Sequence, residues 1–280
     1  MANKRPKKSL GQNFLTSKTI AEGVVSSACL VSGEVVLEIG PGKGFLTKEL
    51  LKTGARVVAI EKDKELVFFL QSEFAEELKT GKLKVVEGDV REFFSFSKRN
   101  SSRLPKSGQG ALEEFLSSKT YKLVANIPYY LTSHLTTSFL KLSNPPTIMV
   151  LMIQKEVAER IVSKDGKENL LSLSVKYYGE PKIERLVKAG SFFPKPKVDS
   201  AIISIKNIHI GKPKEEKNFF NFVEKGFSQK RKKLLSVLGQ YYDKKILAQA
   251  WRKCSLQENI RPEGLSLKDW KSLTDFIPIE

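Results

Sequence analysis

Glu34-Val-Val-Leu-Glu-Ile39 runs directly into Gly40-Pro-Gly-Lys-Gly44, and Phe45-Leu-Thr-Lys-Glu-Leu-Leu51 follows. The first stretch is short, apolar and β-branched, as a buried strand is, and the third spaces its apolar residues as a helix does. Between them, glycines remove the Cβ atoms that would keep a ligand off the backbone. Strand, glycine loop and helix in this order form the first unit of a nucleotide-binding α/β sheet. Arg56-Val-Val-Ala-Ile60 reads as the second strand and ends at Glu61, where an acid hydrogen-bonds ribose hydroxyls. A dinucleotide fingerprint needs Gly or Ala at its last position. Counted from Gly40, that position is Phe45, which disfavours an NAD-linked oxidoreductase. The loop suits a nucleoside ligand instead, and S-adenosylmethionine is the common one.

Leu83–Glu87 is the next strand, followed by Gly88-Asp-Val90. Asp89 is either an ordinary turn or N-cap residue or an acceptor for an adenine amino group. Residues 95–110 are rich in Ser, Gly, Pro and Lys and read as a loop. Residues 111–118 read as a short helix. Tyr121–Ala125 is a buried strand that delivers Asn126-Ile-Pro-Tyr-Tyr130 to its exit, where open α/β sheets bind ligands. The Asn126 carboxamide is both acceptor and donor, Pro128 fixes its φ and lacks an N–H, and a tyrosine offers a flat face. The set either holds an aromatic amine or is a turn with core aromatics.

Helices are expected over His134–Leu142 and Gln154–Ser163, and a strand over Thr147–Ile153. Leu170–Tyr178 is helical or partly extended. Ile183–Lys188 and Ser200–Lys206 read as the last strands. Between them, Phe192-Phe-Pro-Lys-Pro-Lys-Val198 is a stiff, non-helical loop. Its phenylalanines are either core anchors or one wall of a base-stacking slot. Upstream, residues 1–8 read as a flexible basic arm, and Gln12 and Asn13 precede a helix over Ser17–Cys29, either as a turn or as two amides over a ligand.

The 280 residues carry 48 Lys+Arg against 31 Asp+Glu, a net charge of +17, which favours a polyanionic partner and nucleic acid first. A linker at His209–Pro213 leads to helices near Asn218–Phe227, Lys232–Leu238 and Lys244–Lys253, with the basic run Gln229-Lys-Arg-Lys-Lys233. Residues 1–208 are thus expected to be the ligand-binding domain, and 209–280 a helical RNA-binding domain. Cys29 and Cys254 fit no ligand or redox spacing, so a reducing cytoplasm is the default. His134 and His209 stand alone, so no metal is expected. No apolar run reaches the length of a membrane span, and a monomer is expected.

Taken in order, several stretches resemble the KsgA (RsmA) ribosomal RNA adenine dimethyltransferases. They are Ser9-Leu-Gly-Gln-Asn-Phe-Leu15, Leu37–Gly44 with Leu46 and Thr47, Glu61, Gly88–Val90, Asn126–Tyr129, Phe192–Ser200, Phe227–Leu238 and Arg261–Leu267. The resemblance implies a class I (Rossmann-like) S-adenosylmethionine-dependent methyltransferase sheet with a final antiparallel strand and a small C-terminal helical domain. It implies methyl transfer to N6 of adjacent adenines near the 3′ end of small-subunit (16S) rRNA, giving N6,N6-dimethyladenosine in the immature small subunit. Its cofactor residues fall on Asn13, Leu15, Gly40, Glu61, Asp89 and Asn126; Gln12, Gly42, Lys62 and Val90 beside them complete the expected set. Its target-base residues fall on Asn126, Pro128, Tyr129 and Phe192. Asn126 Oδ1 and the Pro128 carbonyl would accept the two amine N–H bonds, with Tyr129 and Phe192 stacking on the ring. Ile127 is shared with the related Erm enzymes of large-subunit rRNA, whereas Pro41, Leu46 and Asp199 favour KsgA. An Erm-type enzyme and an assembly factor with dispensable catalysis are the competing readings.

Overall fold

The computed structural model describes residues 6–7, 11–92, 120–163, 167–229 and 231–277. The loop and short helix expected within 95–118 lie outside them. Seven strands form one sheet: β2 (Val35–Ile39), β3 (Arg56–Glu61), β4 (Leu83–Glu87), β5 (Lys122–Asn126), β6 (Met149–Gln154), β7 (Glu180–Val187) and β9 (Ser200–Lys206). Their order is β4-β3-β2-β5-β6-β9-β7. The first five are parallel, and β9 pairs antiparallel with both β6 and β7. This is the Rossmann-like sheet with an antiparallel end that was expected. The order reverses between β2 and β5, so a crevice opens beyond the carboxyl ends of those strands.

The strands read as continuous apolar runs because both faces are covered. Alternate residues go to opposite sides. Val36, Val57, Ala59 and Val124 pack with α1 (Lys18–Ser27), α2 (Phe45–Lys52) and α3 (Lys64–Glu73). Leu37, Ile39, Val58, Ile60 and Leu123 pack with α5 (Thr132–Leu140), α6 (Lys155–Val162) and α7 (Leu170–Tyr178). Helix α7 is helical throughout, closed at its start by a capping box between Asn169 and Ser172. Helix α3 and the short α4 (Ala75–Lys79) were not anticipated; Asp63 caps α3 by accepting the Glu65 N–H at 3.1 Å.

Past β9 come α8 (Pro213–Phe227), α9 (Leu234–Leu238), α10 (Lys244–Lys253) and α11 (Leu267–Phe276). The expected three helices are thus four among the described residues. The change at 208/209 is one of secondary structure within a continuous apolar core. Phe219 and Phe220 of α8 pack on Tyr177 and Tyr178 of α7, with Tyr177 and Phe219 stacked at 4.7 Å. Trp270 of α11 closes the far end against Phe222 and Phe227.

A second, two-stranded ribbon pairs β1 (Phe14–Leu15) with β8 (Phe192–Phe193), matching Phe14 to Phe193 and Leu15 to Phe192. It joins the N-terminal segment to the proline-rich loop. Lys7, expected in a flexible arm, is held: its Nζ donates to Asp63 at 2.9 Å and Glu65 at 3.0 Å.

Candidate active site

A cavity of about 310 Å³ opens beyond the carboxyl ends of β2, β3, β4 and β5. Gln12, Asn13, Leu15, Gly40, Gly42, Glu61, Lys62, Asp89, Val90, Asn126, Pro128 and Tyr129 all line it. Gly42 and Gly44 have φ of +60° and +74°, in the left-handed region. A Cβ on Gly42 would lie 2.9 Å from the Phe14 ring, and one on Gly44 2.4 Å from Phe74. The glycines therefore allow the loop both its turn and its close packing.

Three carboxylates stand side by side at the strand ends. Glu61 accepts the Gly42 N–H at 3.1 Å and the Asp63 N–H at 2.8 Å; burial pushes its carboxyl up despite those bonds. Glu38, on β2, is 1% exposed. Thr47 donates to its Oε2 at 2.7 Å, while its Oε1 is buried without a hydrogen-bond partner. Desolvation pushes Glu38 up to about 8. Its Oε1 is thus a buried polar atom left over on a residue that lines the cavity. Sequence reasoning did not single it out, although an acid inside an apolar strand was a visible signal.

Asp89 is heavily engaged. Arg91 Nη2 donates to Oδ2 at 2.5 Å, Arg91 Nε bridges both oxygens at 3.0 and 3.1 Å, and the Arg91 N–H reaches Oδ1 at 3.0 Å. Lys62 Nζ sits 2.9 Å from Oδ2. Arg91 first, then Lys62, hold the carboxyl well below the usual range. A carboxylate has about four lone-pair positions, so a further donor competes with these contacts.

At the opposite wall, Asn126 Nδ2 donates to the Asn13 carbonyl at 3.1 Å. A carbonyl only accepts, so the amide orientation is settled and Oδ1 is left as acceptor. The Pro128 carbonyl accepts the Leu131 N–H at 2.9 Å, closing a turn of 3-10 helix, and keeps one lone pair. The Tyr129 hydroxyl and Ser200 Oγ share a hydrogen bond of 2.8 Å, which fixes the ring. Phe192 departs from expectation. It is 4% exposed and packs with Leu15 and Ile20 in the core, so it does not line the cavity. Successive residues of a strand face opposite ways, and it is Phe193 that reaches the cavity.

The segment over the cavity is tied down at several points. Gln12 accepts the Lys7 N–H at 2.8 Å and donates to Asp63 at 3.3 Å. Burial raises Asp63, but its bonds to Lys7, Gln12 and the Glu65 N–H leave its carboxyl lowered overall.

Residues 3–278 match the family model described as ribosomal RNA adenine dimethylase. The chain belongs to that family. A ribosomal RNA small subunit methyltransferase A of Dehalococcoides mccartyi is 36% identical over 273 residues, covering 96% of this chain and 87% of the relative. One of Mycoplasmopsis synoviae is 38% identical over 268 residues, covering 95% and 94%. Among solved structures, a dimethyladenosine transferase from Plasmodium falciparum aligns with a TM-score of 0.70 at 25% identity, over 93% of this chain and 95% of that one. The 23S rRNA methyltransferase ErmE aligns with a TM-score of 0.72 at 22% identity, over 95% and 99%, a likeness of fold.

As a ribosomal RNA adenine dimethylase, the chain is a methyltransferase and requires a methyl donor. The cavity fits one built on a nucleoside. It has acidic side chains on or just past three adjacent strands, Glu38, Glu61 and Asp89, apolar walls from Ile39, Ile60 and Val90, and the unpartnered buried oxygen of Glu38. Among the described residues, no helix is long and apolar enough to cross a membrane, and no group of three or more His, Cys, Asp or Glu is placed to hold a metal.

Proposed function

We propose that the chain transfers methyl groups from S-adenosylmethionine to N6 of adenines near the 3′ end of small-subunit rRNA, giving N6,N6-dimethyladenosine. The observation that carries this reading is the Asn126 amide, which gives one N–H to the Asn13 carbonyl and so keeps its oxygen as an acceptor on a residue that lines the cavity. The names of the relatives at 36% and 38% identity favour the small over the large subunit as the target.

Glu61 takes the ribose hydroxyls, Asp89 the adenine amino group, and Gln12, Asn13, Leu15, Gly40, Gly42, Lys62 and Val90 enclose the cofactor. When bound, S-adenosylmethionine supplies an electrophilic methyl group on a sulfonium. The chain's own contribution is to the acceptor. Adenine N6 is a weak nucleophile because its lone pair is delocalised into the ring. In the first transfer Asn126 Oδ1 and the remaining lone pair of the Pro128 carbonyl hold its two hydrogens and stabilise the positive charge that develops on nitrogen; the methylated nitrogen then releases one proton to solvent, and in the second transfer the single hydrogen that remains is held and lost in the same way. Tyr129, fixed through Ser200, holds the ring by stacking. The rest is alignment of N6 with the methyl group. The target adenine is unpaired or flipped out.

Residues 209–280 serve as the RNA-binding part. From Lys212 onward there are fifteen Lys/Arg against nine Asp/Glu. Lys225 lies over the rings of Tyr241 and Tyr242.

The test uses small and large ribosomal particles from cells lacking both kinds of methylase, with labelled S-adenosylmethionine and mapping by nuclease digestion and mass spectrometry. Dimethyladenosine in small-subunit rRNA is expected. Label confined to large-subunit rRNA would make the chain an Erm-type enzyme, and tight binding to small particles without label would leave only an assembly role.

A further inference from the structure

Two large aromatic rings at the cavity mouth are left in solvent. Tyr130 is 59% exposed and Phe193 61% exposed, and both line the cavity. Each is the chain neighbour of a ring that is held inside, Tyr129 by its bond to Ser200 and Phe192 by burial. The outer rings nevertheless stand on ordered backbone. Phe193 pairs with Phe14 in the β1–β8 ribbon. Tyr130 lies in the 3-10 turn closed by Leu131 and Pro128, with its ring over Gly11, where a Cβ would sit 3.2 Å away. Neither ring stacks on another described aromatic residue. Exposed, preplaced rings beside a cavity are a surface for a flat partner.

The chain after Phe193 adds cations at short range: in Phe193-Pro-Lys-Pro-Lys197, both lysines are exposed. Aromatic faces interleaved with cations are the pattern that grips single-stranded nucleic acid, with rings taking bases and cations taking the linking phosphates.

We propose that Tyr130 and Phe193 form a second base subsite, which holds the unpaired RNA nucleotide next to the one that enters the cavity. This rests on the RNA adenine reading above and extends it. The inner site reads an amine through Asn126. The outer one stacks any base, since every base has a flat face. The substrate must therefore present two consecutive unpaired nucleotides, and a lone flipped adenine in a duplex binds poorly.

The test uses the full chain loaded with S-adenosylhomocysteine and short single-stranded RNAs. These carry 8-vinyladenine, a fluorescent adenine that keeps its 6-amino group, at the target position or at either neighbouring position. Stacking quenches its fluorescence. For the wild-type chain, quenching is expected at the target and at one neighbour. Tyr130→Leu and Phe193→Leu should lose the neighbour signal, keep the target signal and weaken RNA binding about 5- to 150-fold, the span expected for one stacked base. Tyr130→Phe and Phe193→Tyr, which keep the rings, should restore both. Lys195→Ala should keep the quench and lower the salt slope of binding by about one. Thermal unfolding of each variant verifies the fold. Wild-type affinity and quench in both leucine variants would overturn the subsite. So would equal loss at the target position, which would assign the rings to the entering base. Failure of the wild-type chain to methylate rRNA would overturn the parent reading, whereas methylation without neighbour quenching would overturn this one alone.

Discussion

Asn126 donates its side-chain amide to the backbone carbonyl of Asn13 across 3.1 Å. One bond thereby orients the residue at the exit of β5 and fastens the N-terminal segment over the cavity. Asn126→Ala removes both the acceptor and the fastening. Single-turnover methyl transfer should fall about 100- to 1000-fold, in the range of losing one aligned polar contact to a developing charge. S-adenosylmethionine binding should weaken only moderately. Near-normal turnover would remove Asn126 from its assigned role.

Glu38 carries a pH signature. Burial pushes its carboxyl up to about 8, from an ordinary value of 4.5. Between those values the folded chain keeps a proton that the unfolded chain has lost. Stability therefore falls as pH rises through this window and levels off above it. Glu38→Gln keeps an acceptor for Thr47 and cannot ionise. Relative to wild type it should gain stability from pH 5 to pH 8, by an amount on the order of a few kcal/mol. Urea unfolding at pH 5, 6.5 and 8 measures this, and parallel curves would refute it.

With Asp89 taking the donor's adenine amino group, as proposed, Arg91 would compete for the same carboxylate. Arg91→Gln should tighten S-adenosylmethionine binding about two- to fivefold, the modest value of a half-exposed ion pair. Asp89→Ala should weaken it. Calorimetry of the two variants reads both signs. Unchanged affinity in Arg91→Gln would mean that the donor leaves the ion pair intact.

Gly226 offers a contrast between local and tertiary preference. Alanine in a helix is favoured over glycine by about 1 kcal/mol. Here a Cβ would lie 2.4 Å from the Trp270 ring and 3.0 Å from Leu234. Overpacking of this kind costs about 1–3 kcal/mol. Gly226→Ala is expected to lower the Tm, and a rise would show that Trp270 can shift.

Much of the sheet was legible because its signals are local. The glycine loop, the acid at Glu61 and the apolar runs of β2 to β6 each declare themselves within a few residues. Of the helices that escaped, two had their starts written in the chain: Asp63 caps α3, and Ser266 and Asp269 form a capping box for α11. The choice between Phe192 and Phe193 was of another kind. It depends on the register of β1 against β8, and no spacing within the loop encodes that. Likewise the partners of Asp89 depend on how Arg91 and Lys62 turn their side chains, which residue type leaves open.

The apolar core that passes from Tyr177 and Tyr178 into Phe219, Phe220 and finally Trp270 has a bearing on how such chains diverge. The segment from 213 onward is not a cartridge that can be traded between relatives. A chimera bringing foreign terminal helices would also have to import their partners at 177 and 178. It would need the counterpart of Lys141 too, whose ammonium lies over Phe220. With the RNA-binding role proposed above for these helices, changes in which RNA is gripped would be tied, through shared rings, to the sheet that carries the cavity.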